Sequence, residues 1–164
     1  MAAPQALPRD VAIMHRLTST VRGLPGIRGA AYSQPQDFAR PIAELPFANI
    51  WDFRESFDLE QGNDHYFNET NVSVDVTYRY DDDVPGETLL EVGKRLRSQL
   101  LLVLVPRLNL DWCLEGLGAT DLIPTECTYS QVVDESDREG LGIMMLTLTL
   151  RYNCAAGDLY ATAA

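Results

Sequence analysis

The stretch "VSVDVTYRYDDDVPGE", Val72 to Glu87, contains the clearest β-strand pattern in the chain, followed by a run of three aspartates. Between Val72 and Tyr80, valine and tyrosine alternate with polar residues, which is the pattern of a strand with one buried face. Pro85 and Gly86 then break the strand in a turn. The acids therefore lie between the end of a strand and the next element.

Two amphipathic helices are predicted, one on each side of this strand in the sequence. The first runs from Arg9 to Val21 after Pro8, with apolar side chains at Val11, Met14, Leu17 and Val21. The second lies in "ETLLEVGKRLRSQLLLVLVP" and ends at Pro106. Its apolar stripe is Leu89, Val92 or Gly93, Leu96, Leu100, Val103 and Leu104. Each helix thus has one face that can pack against a sheet.

A second strand, "FANIWDFRESF" (47–57), is predicted after a proline-rich, extended crossing between Tyr32 and Pro46. One side of this strand is largely aromatic and consists of Phe47, Asn49, Trp51, Phe53 and Phe57. The polar segment Asp58 to Asn71 is typical of a loop or of the tip of a long hairpin. Together with the strand at Val72, this order predicts a long antiparallel hairpin.

Two more strands are predicted in the last third of the chain. "ATDLIPTECTYSQVV" (119–133) is interrupted by Pro124, which favours a place at a sheet edge. "LGIMMLTLTLRYNC" (141–154) alternates most strongly and is expected in the centre of the sheet. The link from Leu110 to Gly118 is expected to be irregular, with Trp112 as its anchor.

These elements predict an α+β fold in which two main helices pack on a mixed, mainly antiparallel sheet of about four to five strands. The length of 164 residues suits one core, so residues 1–164 are expected to form a single domain. We expect a mobile N-terminus (1–8) and a mobile C-terminal tail (155–164).

The charge balance argues against nucleic-acid or membrane binding as a main function. The net charge is −11, from 13 Lys and Arg against 24 Asp and Glu, and it repels phosphates and anionic lipids. The densest basic cluster, "GKRLR" (93–97), alternates its charges with apolar residues. The start "MAAPQALPRD" lacks the pattern of a secretory signal, which predicts a protein made and kept in a cytoplasm. The apolar run "LLLVLV" (100–105) is too short to span a membrane.

The acidic run Asp81, Asp82 and Asp83 partly matches a calcium-binding loop. Asp81, Asp83 and Gly86 match the EF-hand spacing, but Pro85 and Val92 occupy positions that must supply ligand oxygens. A solvated turn is therefore favoured over a metal site. The three cysteines, Cys113, Cys127 and Cys154, match neither a disulfide framework nor a zinc pattern, and buried free thiols are expected.

Catalytic residues are not indicated. His15 lies in the first helix, and neither histidine accompanies a nucleophile in a recognised motif. Asp64, His65, Tyr66 and Phe67 lie together in the predicted loop, where contact with a partner chain is favoured over a general base. Glu55 and Asp58 are a carboxylate pair whose separation the sequence does not give. We therefore predict no enzyme activity, cofactor or metal.

The order of these segments resembles a known family. The N-terminal helix, the "GLPGI" turn, the crossing into "LPFANIW", the strand "VSVDVTYRYDDD", the helix "ETLLEVGKRLRSQLL" and the last strand "LGIMMLTLTLRYNC" are similar to the layout of tail terminator proteins of long-tailed phages. Related phage neck and minor tail proteins, and the corresponding part of gene transfer agents, share that layout. The resemblance covers about residues 9–154 and lies in the pattern of elements rather than in a catalytic motif.

The resemblance implies a structural virion subunit that assembles as a hexameric ring at the head-proximal end of the tail tube. Such a ring ends tube polymerisation and presents a surface to the head–tail connector, while DNA passes through its lumen without specific binding. By position, Asp64, His65, Tyr66 and Phe67 are candidate contacts with the tube or a neighbouring subunit. Asp81, Asp82 and Asp83 are candidate rim or lumen acids. The implied location is the neck of the virion, after assembly in the host cytoplasm.

Two alternatives remain open at this point. One is another neck, connector or tail tube ring component of the same particle. The other is a small cytoplasmic enzyme or ligand-binding domain with a site near Asp64 to Tyr66. A ring protein should oligomerise without added ligand, whereas an enzyme should have a concave pocket with convergent polar groups.

Overall fold

A computed structural model describes residues 7–33, 42–59, 65–80, 86–106, 112–132, 140–155 and 160–161. Within these ranges, the side chains of 42, 57–59, 65–66, 132, 154–155 and 160–161 are not described. The helices are α1 (Arg9–Arg22) and α2 (Leu89–Leu104), and a 3-10 turn spans Ile42–Glu44. The strands are β1 (Leu7–Pro8), β2 (Gly29–Tyr32), β3 (Phe47–Leu59), β4 (His65–Tyr78), β5 (Ala119–Val132), β6 (Leu141–Ala155) and β7 (Tyr160–Ala161).

The main sheet has five strands in the order β2-β3-β4-β6-β5. Only the β2–β3 pair is parallel within this sheet, and the other three pairs are antiparallel. The fold is therefore α+β with a mixed, mainly antiparallel sheet, and the predicted class is confirmed. The edge position of the strand with Pro124 is also confirmed, while β4 takes the middle of the sheet and β6 lies between β4 and β5.

Both helices pack on the same face of the sheet, which we call the covered face. The apolar stripes of α1 and α2 meet one side of the strands there, in a single core. Fully buried core residues include Ile13, Leu17, Ala48, Ile50, Val72, Val74, Val76, Leu96, Leu100, Leu146 and Leu148. The stripe predicted for α2 is buried at every position except Val103, which is partly buried. Burial of these side chains holds the helices on the sheet.

Tyr78 explains two glycines inside regular elements. Its side chain is fully buried between α2 and β6. A Cβ added at Gly93 would overlap the Tyr78 hydroxyl, and one added at Gly142 would overlap the Tyr78 ring. Glycine weakens a helix interior, so its presence in α2 reflects this close packing rather than local preference.

Side chains cap both ends of α2. The Thr88 hydroxyl accepts a hydrogen bond from the Glu91 N–H, and a Glu91 carboxylate oxygen accepts one from the Thr88 N–H. At the other end, Trp112 Nε1 donates to the carbonyl oxygen of Leu104 over 2.8 Å. Trp112 thus anchors the connecting segment, as predicted, by satisfying a backbone group that the helix leaves open.

The flanking strands carry β-bulges, whereas the β4–β6 pair has none. Register shifts occur in β3 between Asp52 and Arg54, and twice in β5. The extra residues in β5 are Thr120 and Thr125, whose hydroxyls donate to carbonyl oxygens of β6 at 3.2 and 3.1 Å. The side chains therefore replace ladder hydrogen bonds that the bulges interrupt.

The predicted long antiparallel hairpin is confirmed, but its strands extend far into the segment from Asp58 to Asn71 that was predicted as a loop or the hairpin tip. β3 extends to Leu59, and β4 already begins at His65. The polar residues Asn68, Glu69 and Thr70 pair with both β3 and β6 in an antiparallel ladder. Asn68 and Thr70 are buried and Glu69 is exposed, so this part of β4 alternates in burial but not in hydrophobicity, which is the signal on which the prediction depended.

Two other features differ from, or add to, the sequence predictions. The crossing from Tyr32 to Pro46 was expected to be extended throughout, but it includes the end of the short strand β2 and a 3-10 turn. Near the chain ends, Leu7 and Pro8 pair antiparallel with Ala161 and Tyr160. The rest of the segments predicted to be mobile, apart from the backbone of Ala155 at the end of β6, lies outside the described residues.

Candidate interaction surfaces

The predicted contact residues lie where β4 begins. His65 and Tyr66 are the first residues of β4; both pair with β6, and Tyr66 also pairs with β3. Phe67 follows, and 41% of its surface is exposed. Asp64 and the side chains of His65 and Tyr66 lie outside what the structure describes. The described part of this candidate site is therefore an exposed aromatic side chain on a strand.

A cavity of about 360 Å³ adjoins Phe67. Its lining is polar and includes Ser56, Glu69, Thr120 and Arg151. Glu69 and Arg151 form an exposed ion pair with 3.0 Å between Oε2 and Nε. Because the two charges neutralise each other, this end of the sheet offers hydrogen-bonding groups and one aromatic ring rather than a strong local charge.

The candidate rim acids Asp81, Asp82 and Asp83 lie outside the described residues. They connect Tyr80, which is exposed, with the turn at Gly86 that precedes α2. Within the described ranges, no three His, Cys, Asp or Glu side chains are grouped so that they could hold a metal ion.

The second face of the main sheet, which we call the open face, consists of the strand residues that alternate with the core residues. Among the described elements, no helix or strand packs on it. Phe53 and Met145 are 49% and 41% exposed there, and the Phe53 ring lies 5.1 Å from that of Trp51. Phe47, Asn49 and Trp51 share this face as predicted. The bulge after Asp52 shifts the register beyond them, and the side chain of the last predicted member, Phe57, is not described.

A buried carboxylate lies in the middle of the open face. Asp75 is 2% exposed and accepts hydrogen bonds from Trp51 Nε1, at 2.7 Å, and from the Ser73 hydroxyl. Beside it, the Ser33 hydroxyl donates to Asn49 Oδ1 over 2.9 Å. These hydrogen bonds, within β4 and between neighbouring strands, compensate for the removal of the polar groups from water. Hydrogen bonds thus hold the polar side chains of the open face in place, although no described helix or strand covers them.

Three arginines meet at one end of the sheet, in what we call the arginine cleft. Arg28, Arg79 and Arg95 line a cavity of about 480 Å³, and Ile27, Pro46 and Leu96 supply apolar parts of its wall. Arg95 is held by a bidentate ion pair with Glu87, at 3.0 and 3.1 Å. Arg28 is exposed, and its Nη1 donates to the carbonyl oxygen of Ala43. Within the described part of the chain, Arg28 forms no ion pair.

The arginine cleft is a local basic surface that the sequence analysis missed. Only Arg95 belongs to the predicted basic cluster "GKRLR", and the other two arginines come from distant segments. The spacing of these arginines in the sequence could not have predicted that they lie together, because their proximity depends on the parallel β2–β3 pair and on the packing of α2.

The groups considered for catalysis have structural partners. Glu55 Oε1 accepts a hydrogen bond of 2.6 Å from the Tyr152 hydroxyl, and the side chain of Asp58 is not described. Burial, followed by this hydrogen bond, raises the pKa of Tyr152 far above its ordinary value. His15 is exposed, and its ring meets that of Tyr32 edge-on.

The two described cysteines form no disulfide. Cys113 and Cys127 are free and partly buried, and the side chain of Cys154 is not described. Burial raises the pKa of the Cys113 thiol, which disfavours the nucleophilic thiolate.

No family model matches the chain, and no curated protein matches it. Neither α1 nor α2, the helices of the described ranges, has the length and apolar composition needed to cross a membrane. The function must therefore be argued from the surfaces of the molecule.

Proposed function

We propose that the protein is a structural subunit of a phage or gene transfer agent particle, and that it forms a ring at the head-proximal end of the tail tube. The ring ends tube polymerisation and offers a surface for head–tail joining. The observation that carries this proposal is the open face, a long sheet surface with exposed apolar side chains that no described helix or strand covers.

The composition of the open face suits contact between proteins. Phe53 and Met145 are large apolar side chains, and Trp51 next to Phe53 is held by Asp75. Exposed apolar patches with polar surroundings mark interaction sites, and aromatic residues and methionine are enriched at interfaces. Because Trp51 is fixed by its hydrogen bond, less side-chain entropy is lost when a partner binds.

The segments that resemble tail terminators form one continuous architecture. The "GLPGI" segment (23–27) joins α1 to β2, and "LPFANIW" (45–51) leads into β3. The remaining segments form β4, α2 and β6, so that the family-like pattern accounts for both helices and the interior strands. This agreement supports the proposal, because each resembling segment forms the kind of element that the family layout implies.

The charge is compatible with a channel for DNA. With a net charge of −11, the protein repels phosphates over a screening length of about 8 Å at physiological salt. DNA can then pass through a lumen without specific binding, and the implied location is the virion neck.

The two alternatives make different predictions. Another neck, connector or tube component would also oligomerise, but it would bind other partners than the open end of a tube. An enzyme or ligand-binding domain near Asp64 to Tyr66 would remain a small species and bind a small molecule. The cavity beside Phe67 adjoins that region, and the two charged groups of its lining, Glu69 and Arg151, are paired with each other; the arginine cleft lies at the opposite end of the sheet.

The test is the solution mass of the purified protein over a range of concentrations, followed by negative-stain imaging with and without tail tube subunits. We expect rings of about six copies, or a monomer that forms rings only on tube ends. Met145→Lys should weaken assembly by placing a charge on the open face. Leu102→Lys is the matched control, because Leu102 is 58% exposed on α2 instead.

Three results would contradict the proposal in different ways. A monomer or dimer that ignores tubes would exclude a ring and favour the small-domain alternative. Rings that never bind tubes would favour another neck component. Equal assembly of the Met145→Lys and Leu102→Lys variants would show that the open face is not the interface.

A further inference from the structure

The main sheet ends on one side in β5, and no other strand of the described ranges pairs with the outer edge of this strand. Such an edge presents backbone N–H and C=O groups that can pair with a strand of another chain. Folded proteins usually protect edge strands with prolines, bulges, charged side chains or very short strands. The two halves of β5 differ in this protection.

The first half of β5 is protected. Two bulges interrupt the ladder, at Thr120 and Thr125. The Leu122 N–H donates to the carboxylate of Asp121 over 2.9 Å, and Pro124 has no N–H to donate. A strand added along this half would therefore find few regular partners.

The second half of β5, residues 126–132, lacks this protection, and we call it the edge segment. It pairs with β6 without a register shift, from Glu126 opposite Thr147 to Val132 opposite Leu141. Its sequence "ECTYSQV" contains β-branched and aromatic residues, no proline and one charged residue. The edge segment is therefore a regular strand edge, about 20 Å long, that another strand can join.

The opposite edge of the sheet is protected as well. β2 has only four residues, and Arg22 Nη2 donates to the carbonyl oxygen of Ala30 on this strand over 2.6 Å. Beyond β2, the bulge between Asp52 and Arg54 interrupts β3. Pairing between two different edges needs both to be regular. Within the described sheet, the regular match for the edge segment is thus the same segment of a second copy, related by a two-fold axis.

The sequence of the edge segment suits pairing with itself. In an antiparallel pair centred on Tyr129, Thr128 lies opposite Ser130 of the second copy, and such hydroxyl pairs stabilise neighbouring strands. Tyr129 lies opposite its own copy as an aromatic pair. Glu126 lies opposite the uncharged Val132, and the two copies of Glu126 are about 20 Å apart. This distance exceeds the screening length of about 8 Å, so the pairing brings no like charges together.

We propose that two copies of this chain pair antiparallel through their edge segments and form one continuous sheet with five strands from each copy. The contact goes beyond the proposed ring, because it joins like patches, whereas the repeated contact of a ring joins unlike patches. It doubles the mass of whichever species the ring contact produces, monomer or ring. Since the pairing uses backbone groups at the edge, the open face of each copy stays available.

The experiment places charges at the positions that face each other across the axis. Thr128→Lys with Ser130→Lys sets lysines opposite each other twice, and like charges in that arrangement are destabilising. The concentration at which half of the protein is paired should rise about tenfold. Thr128→Lys with Ser130→Glu sets lysine opposite glutamate twice, and this variant should pair at least as well as the wild type. Both side chains are exposed, so the fold should be retained.

The matched control carries Ser19→Lys with Ser98→Lys, which makes the same change of charge at exposed serines on the two helices. Light scattering over a range of concentrations gives the mass of all four proteins. We expect the wild type, the control and the lysine–glutamate variant to double in mass as concentration rises. The double-lysine variant should do so only at higher concentration.

Three results would overturn the inference. The first is a wild type whose mass never doubles, and the second is a double-lysine variant that pairs like its control. The third is a lysine–glutamate variant as weak as the double-lysine variant, which would mean that the edge segment does not pair with its own copy. The proposed function is judged separately, by rings of about six copies and by binding to tube ends. Loss of the doubling leaves those rings in place, and absence of rings leaves a doubling monomer.

Discussion

The two faces of β4 show two different ways to bury a strand. Val72, Val74 and Val76 point to the covered face and are fully buried beneath the helices. Ser73 and Asp75 lie between them in sequence and are each 2% exposed on the open face. No described helix or strand lies above them, and they are protected by neighbouring side chains and by hydrogen bonds between Ser73 and Asp75 and between Asp75 and Trp51 of β3.

The covered face thus stabilises the fold, whereas the open face keeps side chains exposed to solvent. The covered face gains free energy from apolar area removed from water, and that gain is non-directional. The open face depends on directional bonds to Asp75, which hold its polar groups in place while leaving Phe53 and Met145 exposed. One strand can therefore serve a permanent core on one side and a reversible interface on the other.

The largest expected effect is on the covered face. Leu148→Ala should lower the free energy of unfolding by about 3 kcal/mol, since Leu148 is fully buried and its removal leaves a cavity. Met145→Ala, three residues earlier on the open face, should change the free energy of unfolding by about 0.5 kcal/mol or less. Urea titration of the monomer measures both values. Similar losses for the two variants would show that the faces are not distinct in stability.

A smaller loss is expected for the buried carboxylate of the open face. Asp75→Ala should lower the free energy of unfolding by about 2 kcal/mol, because the Trp51 and Ser73 donors lose their acceptor. Trp51 fluorescence during urea titration reports this loss. Thr77→Ala, on the same face of the same strand, is the control and should be nearly neutral. An unchanged midpoint for Asp75→Ala would mean that the open face is not held by these bonds.

The third prediction concerns pH and again distinguishes the faces. Tyr32, Tyr78, Tyr129 and Tyr152 all point to the covered side, and burial is the first cause of the raised pKa of each. Burial, followed by the neighbouring Cys127 thiol, raises the pKa of Tyr129 to about 12. In the unfolded chain the pKa is about 10.

A folded-state pKa above the unfolded value gives stability that is complete below pH 10 and is lost as pH rises towards about 12. Tyr129→Phe should therefore reduce the loss of stability in this window, measured by urea titration at several pH values with tyrosinate absorbance as a second signal. If the Tyr129→Phe variant follows the wild type at every pH, burial of Tyr129 does not contribute to alkaline unfolding.

The elements that could be predicted are those in which burial or backbone geometry produces a recognisable pattern in consecutive residues. The stripe of α2, the valines of β4 and the edge strand with Pro124 each contain a pattern that burial or backbone chemistry imposes on neighbouring residues. The polar half of β4 could not be predicted, because Asn68 and Thr70 are polar residues at buried positions, where Val72, Val74 and Val76 gave the apolar signal in the other half. The arginine cleft could not be predicted either, because its lining residues come from distant segments and form no periodic pattern in the sequence.

The bulges also determine where the chain can change in length. β4 and β6 match residue for residue from the pair His65 and Ala155 to the pair Tyr78 and Gly142, so a deletion inside either would move following side chains to the wrong face. β3 and β5 contain residues beyond those that the ladder needs. Removing Phe53 or Thr125 would leave the downstream pairing in place. Natural insertions and deletions should accordingly collect in the flanking strands and spare the central pair.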